Sequence, residues 1–192
     1  MSNIPIFWKK ICMEKLSSKV IVLGDGAVGK TSIVHRYVTD KFQKRYTATI
    51  GVDILNKTLK VTKEVTDYEV NLNLWDIGGQ DSFKLVRGKF YKQAIAALLI
   101  FDVTNKRSFE NLEAWIKEAI ENVEQQIPFV MVGNKIDLAD SRSVSTEEIQ
   151  KKAKELGIAL VIETSAVTGE GIEQAFNYLA HTIIDYYNKN KL

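Results

Sequence analysis

Val20-Ile21-Val22-Leu23-Gly24-Asp25-Gly26-Ala27-Val28-Gly29-Lys30-Thr31 begins as an apolar run and ends in the pattern G-x-x-x-x-G-K-[ST]. The helix-like stretch Ser32 to Val38 follows it. Strand, glycine-rich turn and helix in that order make a phosphate cradle. The glycines let backbone N–H groups point inward with no Cβ in the way, and the helix N-terminus adds a positive dipole end that suits an anion. Lys30 is placed to reach the β- and γ-phosphates, and the Thr31 hydroxyl to ligate Mg²⁺. The segment predicts a bound nucleoside triphosphate and leaves its use to the rest of the chain.

The rest of the chain places that loop in an α/β domain. Strand-like runs at Val20–Leu23, Gly51–Val61, Tyr68–Trp75, Ile95–Phe101, Phe129–Val132 and Ala159–Ile162 alternate with helix-like stretches. Lys106 to Glu124 carries Phe109, Leu112, Ile116 and Ile120 at helical spacing. Thr146–Leu156 and Gly171–Tyr187 read as two further helices, the first announced by a capping box at Ser145 and Glu148. The alternation predicts a P-loop NTPase fold: a six-stranded, mostly parallel sheet with helices on both faces. The second and third strands, joined across the polar stretch 62–67, form a hairpin that makes one edge strand antiparallel. Such sheets bind ligands at the carboxyl ends of their strands, and each motif below falls just after one.

Bulk properties exclude several classes. The 192 residues carry a net charge of only +2, which gives no broad mandate for nucleic acid. A single cysteine excludes an internal disulfide framework and agrees with a reducing, cytoplasmic setting. The longest apolar stretch, Ala94 to Phe101, is too short to span a bilayer.

Two further motifs name the nucleotide and the chemistry. Asp76-Ile77-Gly78-Gly79-Gln80 supplies an acid that can hold Mg²⁺ through a water, a Gly79 N–H that can sense a γ-phosphate, and a glutamine suited to orienting an attacking water. Gly78 next to Gly79 predicts a loose segment. Asn134-Lys135-Ile136-Asp137 supplies a carboxylate that accepts from guanine N1–H and the 2-amino group. Adenine has no donor there, so Asp137 rejects ATP. The Lys135 stem is placed along the base plane, and Asn134 can tie this loop to the phosphate loop.

In this order and spacing the motifs resemble the Ras superfamily of small GTPases over about Lys19 to Tyr187. The chain is most similar to the Rab branch through Tyr46-Thr47-Ala48-Thr49-Ile50-Gly51-Val52-Asp53, Leu74-Trp75-Asp76 and Phe101-Asp102-Val103-Thr104-Asn105 leading to Ser108-Phe109. The resemblance implies a switch that binds GTP and GDP and hydrolyses GTP slowly, with effectors, an exchange factor and an activating protein as partners. It implies catalytic roles for Gln80, Lys30 and Thr49, and Mg²⁺ on Thr31, Thr49 and, through water, Asp76. Nucleotide contacts would come from Gly24 to Ser32, Phe42, Tyr46, Thr49, Gly79, Asn134, Lys135 and Asp137. Ser165, Ala166 and Val167 would complete them, with the Ala166 N–H on guanine O6 and Phe42 across the base. A core aromatic is the other reading of Phe42. Val167 stands where the family commonly has lysine, and Gly78 is closer to the Arf-type motif.

The chain divides into an extension over 1–18, a GTPase domain over 19–188 and a short tail over 189–192. On a helix, Ile4, Phe7, Trp8, Ile11 and Cys12 fall on one stripe beside Lys9 and Lys10, while Ile6, Met13 and Leu16 fall off it and Lys15 intrudes. Packing on its own domain and weak peripheral contact with a membrane both remain open for this segment. Met1-Ser2 offers no myristoylation glycine, and the C-terminal residues no prenylation cysteine. Two rival classes share the phosphate loop. Asp137 argues against an ATP-dependent kinase or ATPase; Gln80 and Thr49 argue against a scaffold without turnover.

Overall fold

The computed structural model describes residues 13–41, 49–80 and 83–190. Phe42, Tyr46 and the apolar stripe at 4–12 lie outside the described residues. Six strands, β1 (Glu14–Leu23), β2 (Val52–Lys63), β3 (Thr66–Ile77), β4 (Ala96–Asp102), β5 (Phe129–Asn134) and β6 (Leu160–Thr164), form one sheet in the order β2-β3-β1-β4-β5-β6. Only β2 runs antiparallel to its neighbour, and it sits at the edge, as expected. Around the sheet lie α1 (Lys30–Thr39), α2 (Lys84–Arg87), α3 (Lys106–Glu110), α4 (Leu112–Asn122), α5 (Thr146–Glu155) and α6 (Ile172–Lys189).

Strand alternation sorts the core into two layers. Val20 and Val22 of β1 face a cluster with Ile33 and Val34 of α1 and Phe176, Leu179 and Ile183 of α6. Ile21 and Leu23 face the other side, with Phe109, Leu112, Trp115 and Ile149. Every residue of β4 is buried, which explains its unbroken apolar sequence. At α5 the capping box forms: the Ser145 hydroxyl accepts from the Glu148 N–H at 3.2 Å, and the Glu148 carboxylate accepts from the Ser145 N–H at 2.9 Å.

Three features differ from the sequence reading. β1 begins at Glu14, upstream of the expected domain start at Lys19, and pairs with β3 from Glu14↔Tyr68 onward. The hairpin turn shrinks from 62–67 to Glu64 and Val65, because Thr62 pairs with Asp67 and Lys63 with Thr66. Glu64 takes φ 56° to make so tight a reversal. The helix expected over 106–124 breaks at Asn111 (ψ −7°) and ends at Asn122, with Val123 extended.

Candidate functional site

The phosphate loop follows β1 and is shaped by close packing. Gly24 has φ 141°, and a Cβ there would lie 2.0 Å from the Ile100 carbonyl oxygen. A Cβ on Gly29, at φ 97°, would lie 2.3 Å from Asn134 Nδ2. Neither position admits a side chain. Gly26 and Ala27 are exposed at the lip of the loop, and Val28 is buried beneath it. Lys30, at the start of α1 and 6% exposed, donates to the Gly24 and Asp25 carbonyls at 2.7 Å each. Burial pushes its ammonium down to about 8, against the raising influence of the Asp76 and Asp25 carboxylates. Ser32 follows, half-buried in the first turn of α1.

Three oxygen side chains from separate segments converge beside that turn. The Thr31 and Thr49 hydroxyls lie 2.7 Å apart. Both donate to Asp76 Oδ2, Thr49 at 3.3 Å. Asp76 is fully buried at the end of β3, and its Oδ1 has no hydrogen-bond partner among the described residues. Burial raises the Asp76 carboxyl above its ordinary value, while bonds from Thr31 and Thr49 and the charge of Lys30 pull the other way. Two hydroxyls and an under-used buried carboxylate are an all-oxygen donor set of the kind a small divalent cation takes.

Gly78 and Gly79 turn out to be packed, not loose. The Gly78 N–H donates to the Gly51 carbonyl at 3.0 Å, and a Cβ on Gly78 would lie 2.8 Å from the Thr49 carbonyl oxygen. A Cβ on Gly79 would lie 2.4 Å from the Gly24 carbonyl oxygen and 2.5 Å from Lys30 Nζ. The two glycines therefore bring the segments holding Thr49 and Gln80 against the phosphate loop. Gln80 is exposed and borders a cleft of about 820 Å³ shared with Asp25, Gly26 and Arg87.

The base-reading loops meet on Asn134. Its Nδ2 donates to the Val28 carbonyl at 2.9 Å, tying β5 to the phosphate loop. Its Oδ1 accepts from the Thr164 hydroxyl and the Ala166 N–H, each at 3.2 Å. The Ala166 N–H, expected on guanine O6, is thus directed to Asn134 here. Asp137 is exposed and accepts from the Ser165 hydroxyl at 2.5 Å, and that same oxygen accepts from the Val167 and Thr168 N–H groups at 3.2 and 3.1 Å. Ser165 is therefore a fixed strut beneath Asp137. Val167 projects outward, 51% exposed. Lys135, at φ 71°, sends its ammonium to Asp102 Oδ2 at 2.7 Å.

Sequence reasoning missed two partners. Asp102, buried at the end of β4, anchors Lys135; its sequence signal was an acid closing an apolar strand. Asp25 was read only as a loop residue, yet it accepts from Trp115 Nε1 and Asn111 Nδ2 at 2.7 Å each. These partners stand far along the chain, and no local pattern announces them.

No helix among the described residues is long and apolar enough to cross a membrane. Residues 19–185 match the model of the Ras family. The Ypt/Rab-type GTPase YPT7 of Saccharomyces cerevisiae is 41% identical over 174 residues, which cover 86% of this chain and 81% of that protein.

Proposed function

Since the chain belongs to the Ras family and is a Rab-like GTP-binding switch that hydrolyses GTP, we propose that its timing rests on Thr31, Thr49, Asp76, Gly79 and Gln80. The convergence of Thr31, Thr49 and Asp76 from three segments carries this reading. GTPases of this family generally use Mg²⁺. Here Thr31 and Thr49 would hold it directly and Asp76 through water, which puts the orphaned Asp76 Oδ1 to use. The bound ion would supply positive charge next to the phosphate oxygens.

The chain's own groups do the remaining work. The amides of Gly24 to Thr31 and the Lys30 ammonium cradle the phosphates and stabilise charge on the transferring group. Gln80 orients a water, whose oxygen attacks the γ-phosphorus as the bond to the GDP oxygen breaks. The products are GDP and inorganic phosphate. Asp137 selects guanine, with Ser165 holding its carboxylate and Asn134 and Lys135 fixing the loops around it; the Ala166 N–H would reach guanine O6 only on leaving Asn134. The family resemblance would assign Phe42 to cover the base and Tyr46 and Val167 to border the nucleotide. With γ-phosphate gone, Thr49 and Gly79 lose a shared ligand and both switch segments relax.

Effectors, an exchange factor and an activating protein read these states, at a membrane surface that the switch visits peripherally during trafficking. Of the expected extension over 1–18, Glu14 to Ser18 are committed to β1, which leaves the stretch before β1 as the candidate contact. Single-turnover hydrolysis by GTP-loaded protein tests the core of this reading. Gln80→Leu is expected to slow phosphate release at least about tenfold with GDP affinity unchanged. A native rate in that variant removes Gln80 from the mechanism.

A further inference from the structure

The phosphate loop and the segment after Gln80 meet on one aromatic side chain. Trp115 of α4 donates its indole N–H to Asp25 Oδ1 at 2.7 Å, and Asn111, at the break before α4, donates to Asp25 Oδ2 at 2.7 Å. The guanidinium carbon of Arg87 lies 4.0 Å from the centre of the Trp115 ring. Arg87 ends α2, the single helical turn that follows Gln80. Its Nε and Nη2 grip the Glu118 carboxylate of α4 at 2.5 and 2.6 Å, and the Tyr91 hydroxyl donates to the same carboxylate at 2.8 Å. Its Nη1 lies 3.5 Å from the Gln80 carbonyl.

The exposure pattern makes Arg87 decisive. It is 4% exposed and is the buried residue of α2, while Leu85 is 95% exposed and Lys84 and Val86 also face solvent. No apolar side chain of α2 is buried against the body of the domain. An apolar anchor would hold the turn without direction, whereas a two-pronged guanidinium–carboxylate contact fixes a plane and two distances. Tyr91 occupies a further acceptor site on Glu118, so the carboxylate is well satisfied in this position. Stacking on Trp115 then links the turn to the indole that holds Asp25.

We propose that Arg87 is a positioning residue for GTP hydrolysis: by latching α2 to Glu118 and Trp115 it sets where Gln80 stands relative to the phosphate loop. This rests on the reading of Gln80 as the water-orienting side chain. The latch also makes the surroundings of Trp115 depend on the nucleotide, since Asp25 and α2 pull on the same ring.

The test is single-turnover hydrolysis by the full chain loaded with GTP and Mg²⁺. The paired replacement Arg87→Met with Glu118→Met keeps the volume of a buried ion pair without its geometry, a change that folded proteins tolerate. It is expected to slow hydrolysis about tenfold, with GDP affinity within about twofold of native. Arg87→Lys keeps charge but loses the fork and is expected to fall between. Gln80→Leu added to the paired replacement is expected to cost less than in the native chain, because both act through one water. With Trp8→Phe and Trp75→Phe, Trp115 is the remaining indole. Its fluorescence is expected to differ between GDP and a non-hydrolysable GTP analogue, and to lose that difference in the paired replacement. A folded paired variant that hydrolyses at the native rate, or a fully additive Gln80→Leu effect, overturns the proposal. If the paired variant does not fold, Arg87→Lys decides: native rate and native fluorescence response overturn it. Failure of the Gln80 reading shows separately, as a Gln80→Leu single variant with native hydrolysis.

Discussion

In the proposed reading Asp137 selects guanine by being aimed, since it is exposed and not buried. The Ser165 hydroxyl holds one oxygen, and the Val167 and Thr168 N–H groups fix that hydroxyl in turn. Its carboxylate is thus pre-organised as an acceptor for paired donors. Asp137→Asn is expected to lower GTP affinity at least about 100-fold and to favour xanthine nucleotides, whose added carbonyl can accept from the new amide. Competition binding against GTP, XTP and ATP reads this, and unchanged GTP binding would refute the assignment. At this scale much of the site was legible. The loop at 24–31, Asp76, Gln80, Asn134 and Asp137 announce themselves, because phosphate and base chemistry restrict the residue types and their spacing. The partners of Asp25 and Lys135 were not legible, because each belongs to a segment distant in sequence.

Elements are read from periodicity, and the structure departs where periodicity is weak. The stretch Glu14-Lys15-Leu16-Ser17-Ser18-Lys19 lacks apolar alternation, yet it forms six of the ten residues of β1 because β3 offers a parallel partner along its whole length. α2 is a single turn with three exposed residues, too short to leave a stripe. The break at Asn111 lies inside a good helical pattern; its side chain is committed to Asp25. The two glycines after β3 suggested freedom, but each is demanded by close approach. Gly78→Ala is expected to push on the Thr49 carbonyl and to destabilise the domain by about 1–3 kcal/mol. Urea unfolding with GDP bound measures it, and no change in the midpoint would contradict the packing argument. The ion pair between α2 and α4 predicts a pH dependence. Burial acts to raise the Glu118 carboxyl, but bonds from Arg87 and Tyr91 outweigh it and hold the group below its ordinary 4.5. A depressed folded value means that the pair's contribution is complete above about pH 4.5 and is lost as pH falls below it. Glu118→Gln is expected to lower stability at neutral pH by up to about 3–5 kcal/mol. It should also flatten the decline as pH falls below about 4.5, followed by urea unfolding at a series of pH values.

At the scale of the whole molecule, stability and switching occupy different parts of one sheet. β1, β4 and β5 are central and covered on both faces, while α2 hangs on one buried arginine and β2 is the edge strand. Hydrogen exchange is expected to be slowest in β1, β4 and β5 and fastest in α2. A GTP analogue should slow exchange in α2 and leave β5 unchanged. Equal protection of α2 in the GDP and GTP-analogue forms would mean that the nucleotide does not reach it. The hairpin of β2 and β3 spans both regions. Its twelve-residue strands run about 40 Å at the usual rise per residue. They extend from Val52 and Ile77 at the switch end to Glu64 and Val65 at the other, where Lys63 pairs with Asp185 of α6. Val65 is 75% exposed. That turn is an engineering port: a fluorophore or epitope spliced between Glu64 and Val65 rides on the strands that connect Thr49 to Gln80, yet stands the length of the hairpin away from both.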